Sequence, residues 1–160
     1  MRIIAFDPGY ERLGVAVLEK ENGKDTVLYS ECFKTSAKDE HSIRLGQIAS
    51  RVLELIKKFS PQQMAIETLF FSKNTKTALK VAEARGVLLA ICAMENLIVN
   101  EYSPQAIKIA VTGSGNSDKT QVTKMVGLIT RVDLSQKIDD EIDAIAIGLT
   151  CSASLRNIHR

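Results

Sequence analysis

The chain opens on three segments dense in Ile, Val, Leu, Tyr and Phe, spanning residues 2–8, 12–20 and 25–33. Pro8-Gly9 and Asn22-Gly23 separate them, and both pairs are turn signals, so the segments read as three consecutive antiparallel strands. From residue 38 to 59 the period changes. Leu45, Ile48, Val52, Leu55, Ile56 and Phe59 recur at spacings of three and four, which predicts an amphipathic helix ending at Lys57-Lys58 before Pro61. Gln63 to Thr68 reads as a short buried strand, Asn74 to Met94 as a long helix, and Leu97 to Tyr102 as another strand. Ser103-Pro104 starts the next helix, with serine as N-cap and proline at the first helical position, where its missing amide hydrogen costs nothing. Gly113 ends that helix. Ser117 is expected to cap a helix running to about Arg131, and the segment from Asp140 to about Leu155 forms the last one. Three antiparallel strands followed by strand and helix alternation predict an α/β chain with a five-stranded mixed sheet flanked by helices.

Composition narrows this to one domain. The 160 residues are 45% hydrophobic and 25% charged, with no internal repeat or proline-rich linker, so residues 1–160 are expected to form a single domain whose last few residues can be disordered. A chain of this length buries enough surface to fold without a metal or a disulfide, so any metal would serve chemistry. Cys32, Cys92 and Cys151 are odd in number and far apart, which fits small buried hydrophobes in a reducing compartment. No charged leader precedes the first strand, and the longest apolar run, Val87 to Met94, falls short of the roughly 20 residues of a membrane span. A cytoplasmic protein without a membrane partner is expected.

The formal net charge of +2 permits a nucleic-acid partner without requiring one, so the distribution of charge matters more. Lys73, Lys76, Lys80 and Arg85 form one basic cluster; Lys108, Lys119, Lys124 and Arg131 form another. Each reads either as a solvated helix face or as a surface for a polyanion.

The acids are more specific. Ile3-Ile4-Ala5-Phe6-Asp7 ends an apolar strand in a carboxylate, and Met64-Ala65-Ile66-Glu67 repeats the arrangement. A carboxylate there is disfavoured unless it is hydrated, hydrogen-bonded or bound to a cation. Asp139-Asp140-Glu141-Ile142-Asp143 opens a helix that continues as Ala144-Ile145-Ala146-Ile147. Acids suit a helix N-terminus in any case. Spacing allows Asp140 and Asp143, three apart, to share a face with Glu141 pointing away; it equally allows Asp139 and Asp143, four apart. Four converging carboxylates would repel one another unless divalent cations neutralised them, and an all-oxygen set suits Mg²⁺ or Mn²⁺. A two-cation carboxylate site is suited to phosphodiester hydrolysis. His41 and His159 lie outside these segments and read as surface histidines without a role.

The ordered set Ile4-Ala5-Phe6-Asp7-Pro8-Gly9, Gly14, Ile66-Glu67, then Asp140 and Asp143 before an apolar helix resembles the RuvC-type Holliday-junction resolvases. The resemblance runs through nearly the whole chain, by way of Phe70-Phe71, Lys73-Asn74, Ala78-Leu79-Lys80, Glu83-Ala84-Arg85-Gly86, Tyr102-Ser103-Pro104, Lys108, Gly113-Ser114-Gly115 and Lys119 to Gln121-Val122. It implies a ribonuclease-H-like fold and a crossover junction endodeoxyribonuclease that resolves four-way DNA junctions by paired nicks in recombination and repair. It places the metal-binding acids on Asp7, Glu67, Asp140 and Asp143, favouring Asp140 over Asp139, with two Mg²⁺ per site for which Mn²⁺ substitutes. It places a wedge aromatic on Phe70 and phosphate contacts on Lys108 and Lys119, with Lys73 and Asn74 also on the DNA side. It further implies a homodimer and a branch-migration motor complex as partner. Phe70 has a reading of its own, because an aromatic in a loop after a strand-end acid can stack on an unpaired base.

Two other classes compete. Actin-like ATPases share a strand, Asp and Gly at the start, but need two such domains, and ATP hydrolysis without DNA would favour them. An inactive resolvase-like binding factor would gain nothing from four carboxylates beside a polyanion.

Overall fold

The computed structural model describes residues 1–68 and 75–156. Strands β1 (Arg2–Asp7), β2 (Arg12–Glu21) and β3 (Lys24–Lys34) form the antiparallel part of the sheet. The β2–β3 hairpin turns on Asn22 and Gly23, both in the left-handed region at φ 50° and 77°, as a tight two-residue turn demands. Helix α1 (His41–Phe59) leads to β4 (Gln63–Glu67), α2 (Thr75–Met94) and β5 (Ile98–Tyr102). Helices α3 (Pro104–Thr112), α4 (Lys119–Thr130) and α5 (Asp139–Arg156) complete the chain. The strand order is β3-β2-β1-β4-β5, with β4 and β5 parallel to β1, so the sheet is five-stranded and mixed as expected.

The start of α1 and the cap of α4 depart from the sequence reading. Helix α1 begins at His41, because residues 37–39 form a turn and bend that the apolar period does not register. Asp118, not Ser117, caps α4: its carboxylate accepts from the Gln121 amide at 2.8 Å, and the Gln121 side chain accepts from the Asp118 amide at 2.9 Å. Ser117 is instead buried, with its hydroxyl 2.6 Å from that of Thr112. The reciprocal Asp118/Gln121 box satisfies two helix-end donors, which a serine at residue 117 could not match. Ser103 and Gly113 do cap α3 at its two ends.

Alternation along β1 splits its side chains between two cores. Ile4 and Phe6 face α1 and α2, joined by Val15, Val17, Met64, Ile66, Ile48, Val52, Leu55 and Leu88. Ile3 and Ala5 face the other way, with Ala16, Leu18 and Ala65, against α3, α4 and α5. The result is a three-layer sandwich with β1 at its centre. Cys92 and Cys151 are buried in these cores and Cys32 is partly buried, all as free thiols. Among the described residues, no helix is long and apolar enough to cross a membrane.

The face toward α5 is made of small residues, and α5 therefore sits close. A Cβ on Gly14 would stand 2.1 Å from the backbone oxygen of Asp140, and one on Gly148 would stand 2.4 Å from Leu18 Cδ1. At Gly148 a flexible side chain could yield. At Gly14 the obstacle is backbone, so the first turn of α5 would have to lift off β2. Gly14→Ala is accordingly expected to destabilise the protein by roughly 1–3 kcal/mol through overpacking. Urea unfolding would read this as a lower midpoint with an unchanged slope.

Candidate active site

The same alternation that buries Ala5 and Ala65 directs Asp7 and Glu67 toward α5. Asp7 is two residues beyond Ala5 on β1, Glu67 two beyond Ala65 on β4, and the parallel register pairs Phe6 with Ile66, which sets the two acids side by side at the strand ends. Arg85 from α2 reinforces β4 here: its Nε donates to the Glu67 carbonyl at 3.3 Å and its other arm pairs with Glu101. Arg85 thus leaves the basic cluster read from sequence and belongs to the scaffold.

Helix α5 brings the remaining acids. Glu141 points away from the strand ends, as the spacing allowed: its Oε2 accepts from the Ser30 hydroxyl at 2.9 Å and from Lys137 Nζ at 3.2 Å, while Lys137 also donates to Ser30 at 2.7 Å. This network ties the first turn of α5 to β3. With Glu141 so directed, Asp140 and Asp143 turn toward β1, and Asp139 stays on the surface, 72% exposed against 21% for Asp140.

Two cations answer these acids. Arg12, at the start of β2, pairs with Asp140, whose carboxylate also lies 3.8 Å from the Cys32 thiol. Lys119, the first residue of α4, donates to Asp143 at 3.1 Å and pairs with Asp139 at 3.3 Å. Burial disfavours charge on Lys119, but its bonds to Asp143 and Asp139 outweigh that and hold its ammonium above the usual lysine range. Arg12 was not singled out from sequence, since its partner lies 128 positions away and no local period marks it.

The acids remain frustrated. Burial first, then the charges of Asp143, Glu67 and Asp140, push the Asp7 carboxyl from 3.8 up to about 7, against a small opposing pull from Lys119. Burial and Asp143 raise Glu67. Burial raises Asp143 as well, with Asp139 and Asp140 adding to it and Lys119 opposing. Asp140 is among the charges that raise Asp7, and both Asp139 and Asp140 act on Asp143. Among the described residues, no three of these side chains already stand in ligating geometry. The donor set nevertheless fits a hard divalent cation: all donors are oxygens, and a cation would relieve the repulsion that raises Asp7.

Beside the acids lies a cleft of about 210 Å³ lined by Glu67, Lys108, Lys119, Asp143, Pro104 and Val122. Lys108 and Lys119, both named from sequence, thus flank the acidic group on its α3–α4 side. Phe70, Phe71, Lys73, Asn74 and His159 lie outside the described residues. His41 is half-buried, its Nε2 2.5 Å from Glu83 Oε2, so it joins α1 to α2 instead of lying free on the surface.

A family profile described as crossover junction endodeoxyribonuclease RuvC matches residues 3–151. The chain is 44% identical to the crossover junction endodeoxyribonuclease RuvC of Brachyspira hyodysenteriae over 93% of its own length and 92% of that protein's. It is 40% identical to that of Thermosipho melanesiensis over 98% and 99%. Among solved structures, the fold matches that of T. thermophilus RuvC in complex with Holliday junction substrate at a TM-score of 0.93 and 32% identity, covering 98% of this chain and 96% of that one. The yeast mitochondrial Holliday junction resolvase Ydc2 shares the fold at a TM-score of 0.73 and 14% identity, covering 98% and 81%.

The raised Asp7 predicts a pH-dependent penalty. Because its folded value lies above its unfolded one, the folded state holds the extra proton between pH 3.8 and about 7, and stability falls as pH rises through that window. In chelating buffer, Asp7→Asn is expected to melt higher than the wild type at pH 8, by at most about 4 kcal/mol or several degrees. The advantage should shrink toward zero near pH 4, as thermal melts across the pH range would show.

Proposed function

The chain belongs to the crossover junction endodeoxyribonuclease RuvC family, and we propose that Asp7, Glu67, Asp140 and Asp143 are its catalytic acids, holding two Mg²⁺ ions for which Mn²⁺ substitutes. It is a metal-dependent endonuclease of the ribonuclease-H-like fold that resolves Holliday junctions in DNA recombination and repair. The observation that carries the site assignment is the meeting of Asp7 and Glu67 at the strand ends with Asp143 on the first turns of α5, where burial and neighbouring carboxylates raise all three and Lys119 opposes at Asp7 and Asp143.

Bound there, divalent cations would activate the attacking water and stabilise the leaving oxygen of a phosphodiester displacement. The chain's own residues do the rest. The strand ends fix Asp7 and Glu67, the Glu141–Ser30–Lys137 network fixes the pitch of Asp140 and Asp143, and Gly14 lets the two groups approach. Lys119 and Lys108 contact phosphates beside the cut, giving affinity without sequence information. In this reading Lys119 exchanges its carboxylate partners for a phosphate when DNA arrives. Phe70 stacks on an unpaired base at the crossover, and Lys73 and Asn74 contact the DNA beside it.

We also place two copies of the chain on one junction. Two strands of like polarity must be cut, and a two-fold homodimer presents two identical centres to a substrate of matching symmetry. Helix α2 supports this: Ala84, Leu88 and Cys92 fill the core, while Leu79 and Met94 stand 64% and 80% exposed on other faces. A branch-migration motor complex, implied by the family resemblance, completes the proposed partners.

Two outcomes follow. Asp7→Asn and Asp143→Asn should each lower nicking of a four-way junction on the order of 10³-fold or more, while gel shifts show binding retained or slightly tighter, since a negative charge near phosphate is lost. Equal loss of binding and cutting would point to misfolding or another centre. Sedimentation equilibrium without DNA should give twice the 17.6 kDa of one chain, and Leu79→Glu should reduce it to one.

A further inference from the structure

We propose that the groove between the β1–β2 turn and the first half of α2 is a second backbone-binding subsite, in which Lys80 takes a phosphate of the DNA strand on the side of the acids opposite Lys108 and Lys119. The assignment rests on the junction-nuclease reading and extends it.

The groove has a volume of about 380 Å³ and is lined by Gly9, Tyr10, Glu11, Arg12, Thr77 and Lys80. It adjoins the acidic group directly, since Gly9 follows Asp7 by two residues and Arg12 reaches from the groove to Asp140. Its charge balance is unusual. Lys80 is exposed, with Nζ 4.8 Å from the centre of the Tyr10 ring, and among the described residues no carboxylate pairs with it. Tyr10 is buried against a second cation, the Arg44 guanidinium, 3.7 Å from the ring centre. Arg44 is itself buried, and it donates to the Thr35 hydroxyl and the Tyr10 carbonyl, not to an acid. The nearby Glu83 is engaged by His41. Glu11, exposed on the groove's rim, is the one carboxylate lining it among the described residues.

A cation over an aromatic ring, next to a buried cation that pairs with no acid among the described residues, presents a positive potential that a polyanion satisfies. The phosphodiester backbone is the occupant that continuity demands. A strand whose scissile phosphate lies over Asp7 and Glu67 continues in both directions, and the Lys108–Lys119 cleft receives only one of them. The Thr77 hydroxyl on the groove wall can donate to the same phosphate.

The test is junction binding by the full chain in chelating buffer, measured against salt concentration for the wild type, Lys80→Ala and, as control, Lys57→Ala on the last turn of α1. Lys80→Ala should lower affinity several-fold at low salt and reduce the slope of log affinity against log salt by about one, with an unchanged melting temperature, while Lys57→Ala changes neither. A single neutral methylphosphonate linkage near the cut should weaken wild-type binding at a position where it no longer affects Lys80→Ala. A wild type that prefers the junction to linear duplex, alongside a Lys80→Ala protein with an unaltered slope, overturns this subsite alone. A wild type with no such preference overturns the junction reading and the subsite with it.

Discussion

The close seating of α5 on the sheet is the constraint from which the rest of the arrangement follows. Ala5, Gly14, Ala16 and Ala65 keep the α5 face of the central strands low, and Ala144 and Gly148, one turn apart, present small residues on the helix. Only that approach lets acids from a helix near the end of the chain meet acids from its first strand. The backbone oxygen of Asp140 occupies the space that a side chain at residue 14 would need.

Bringing like charges together opposes folding, and the chain offsets this locally. Arg12 and Lys119 each take up an acid of α5, and Lys137 takes Glu141 out of the group altogether. Among the described residues neither Asp7 nor Glu67 has an ion-pair partner, and Asp7, the more deeply set, is lifted to about 7, while Asp140 and Asp143 are each paired with a cation. The electrostatic strain is concentrated where a divalent cation would have the most effect. The basic residues lie around this centre on both sides, Lys108 and Lys119 toward α3 and α4, Arg12 and Lys80 toward α2.

Much of this was legible along the chain. Alternation and turn residues placed all five strands, the 3.6 period placed α1, and Ser103-Pro104 and Gly113 marked the ends of α3, because these signals are local. Where a local rule had two solutions, the reading could slip: Ser117 and Asp118 are both good caps, and only the buried hydroxyl contact with Thr112 removes the serine. Asp7 and Glu67 could be singled out because a carboxylate closing an apolar strand is conspicuous against its own neighbours.

The choice between Asp139 and Asp140 was different in kind, since helical spacing allows both with Asp143. The rotation of α5 leaves Asp139 exposed and sets Asp140 against Arg12 and Cys32, and on the same turn Ser30 and Lys137 hold Glu141 to β3. Arg12 and Arg85 likewise acquired their partners, Asp140 and Glu101, only when distant segments met. The sequence by itself determined which residues could be strands, helices, caps and acids, because those preferences act over a few neighbouring positions. Which acids share a site, and which cations belong to it, was decided by the tertiary structure, because Coulomb interactions and close packing depend on distance in space and not along the chain.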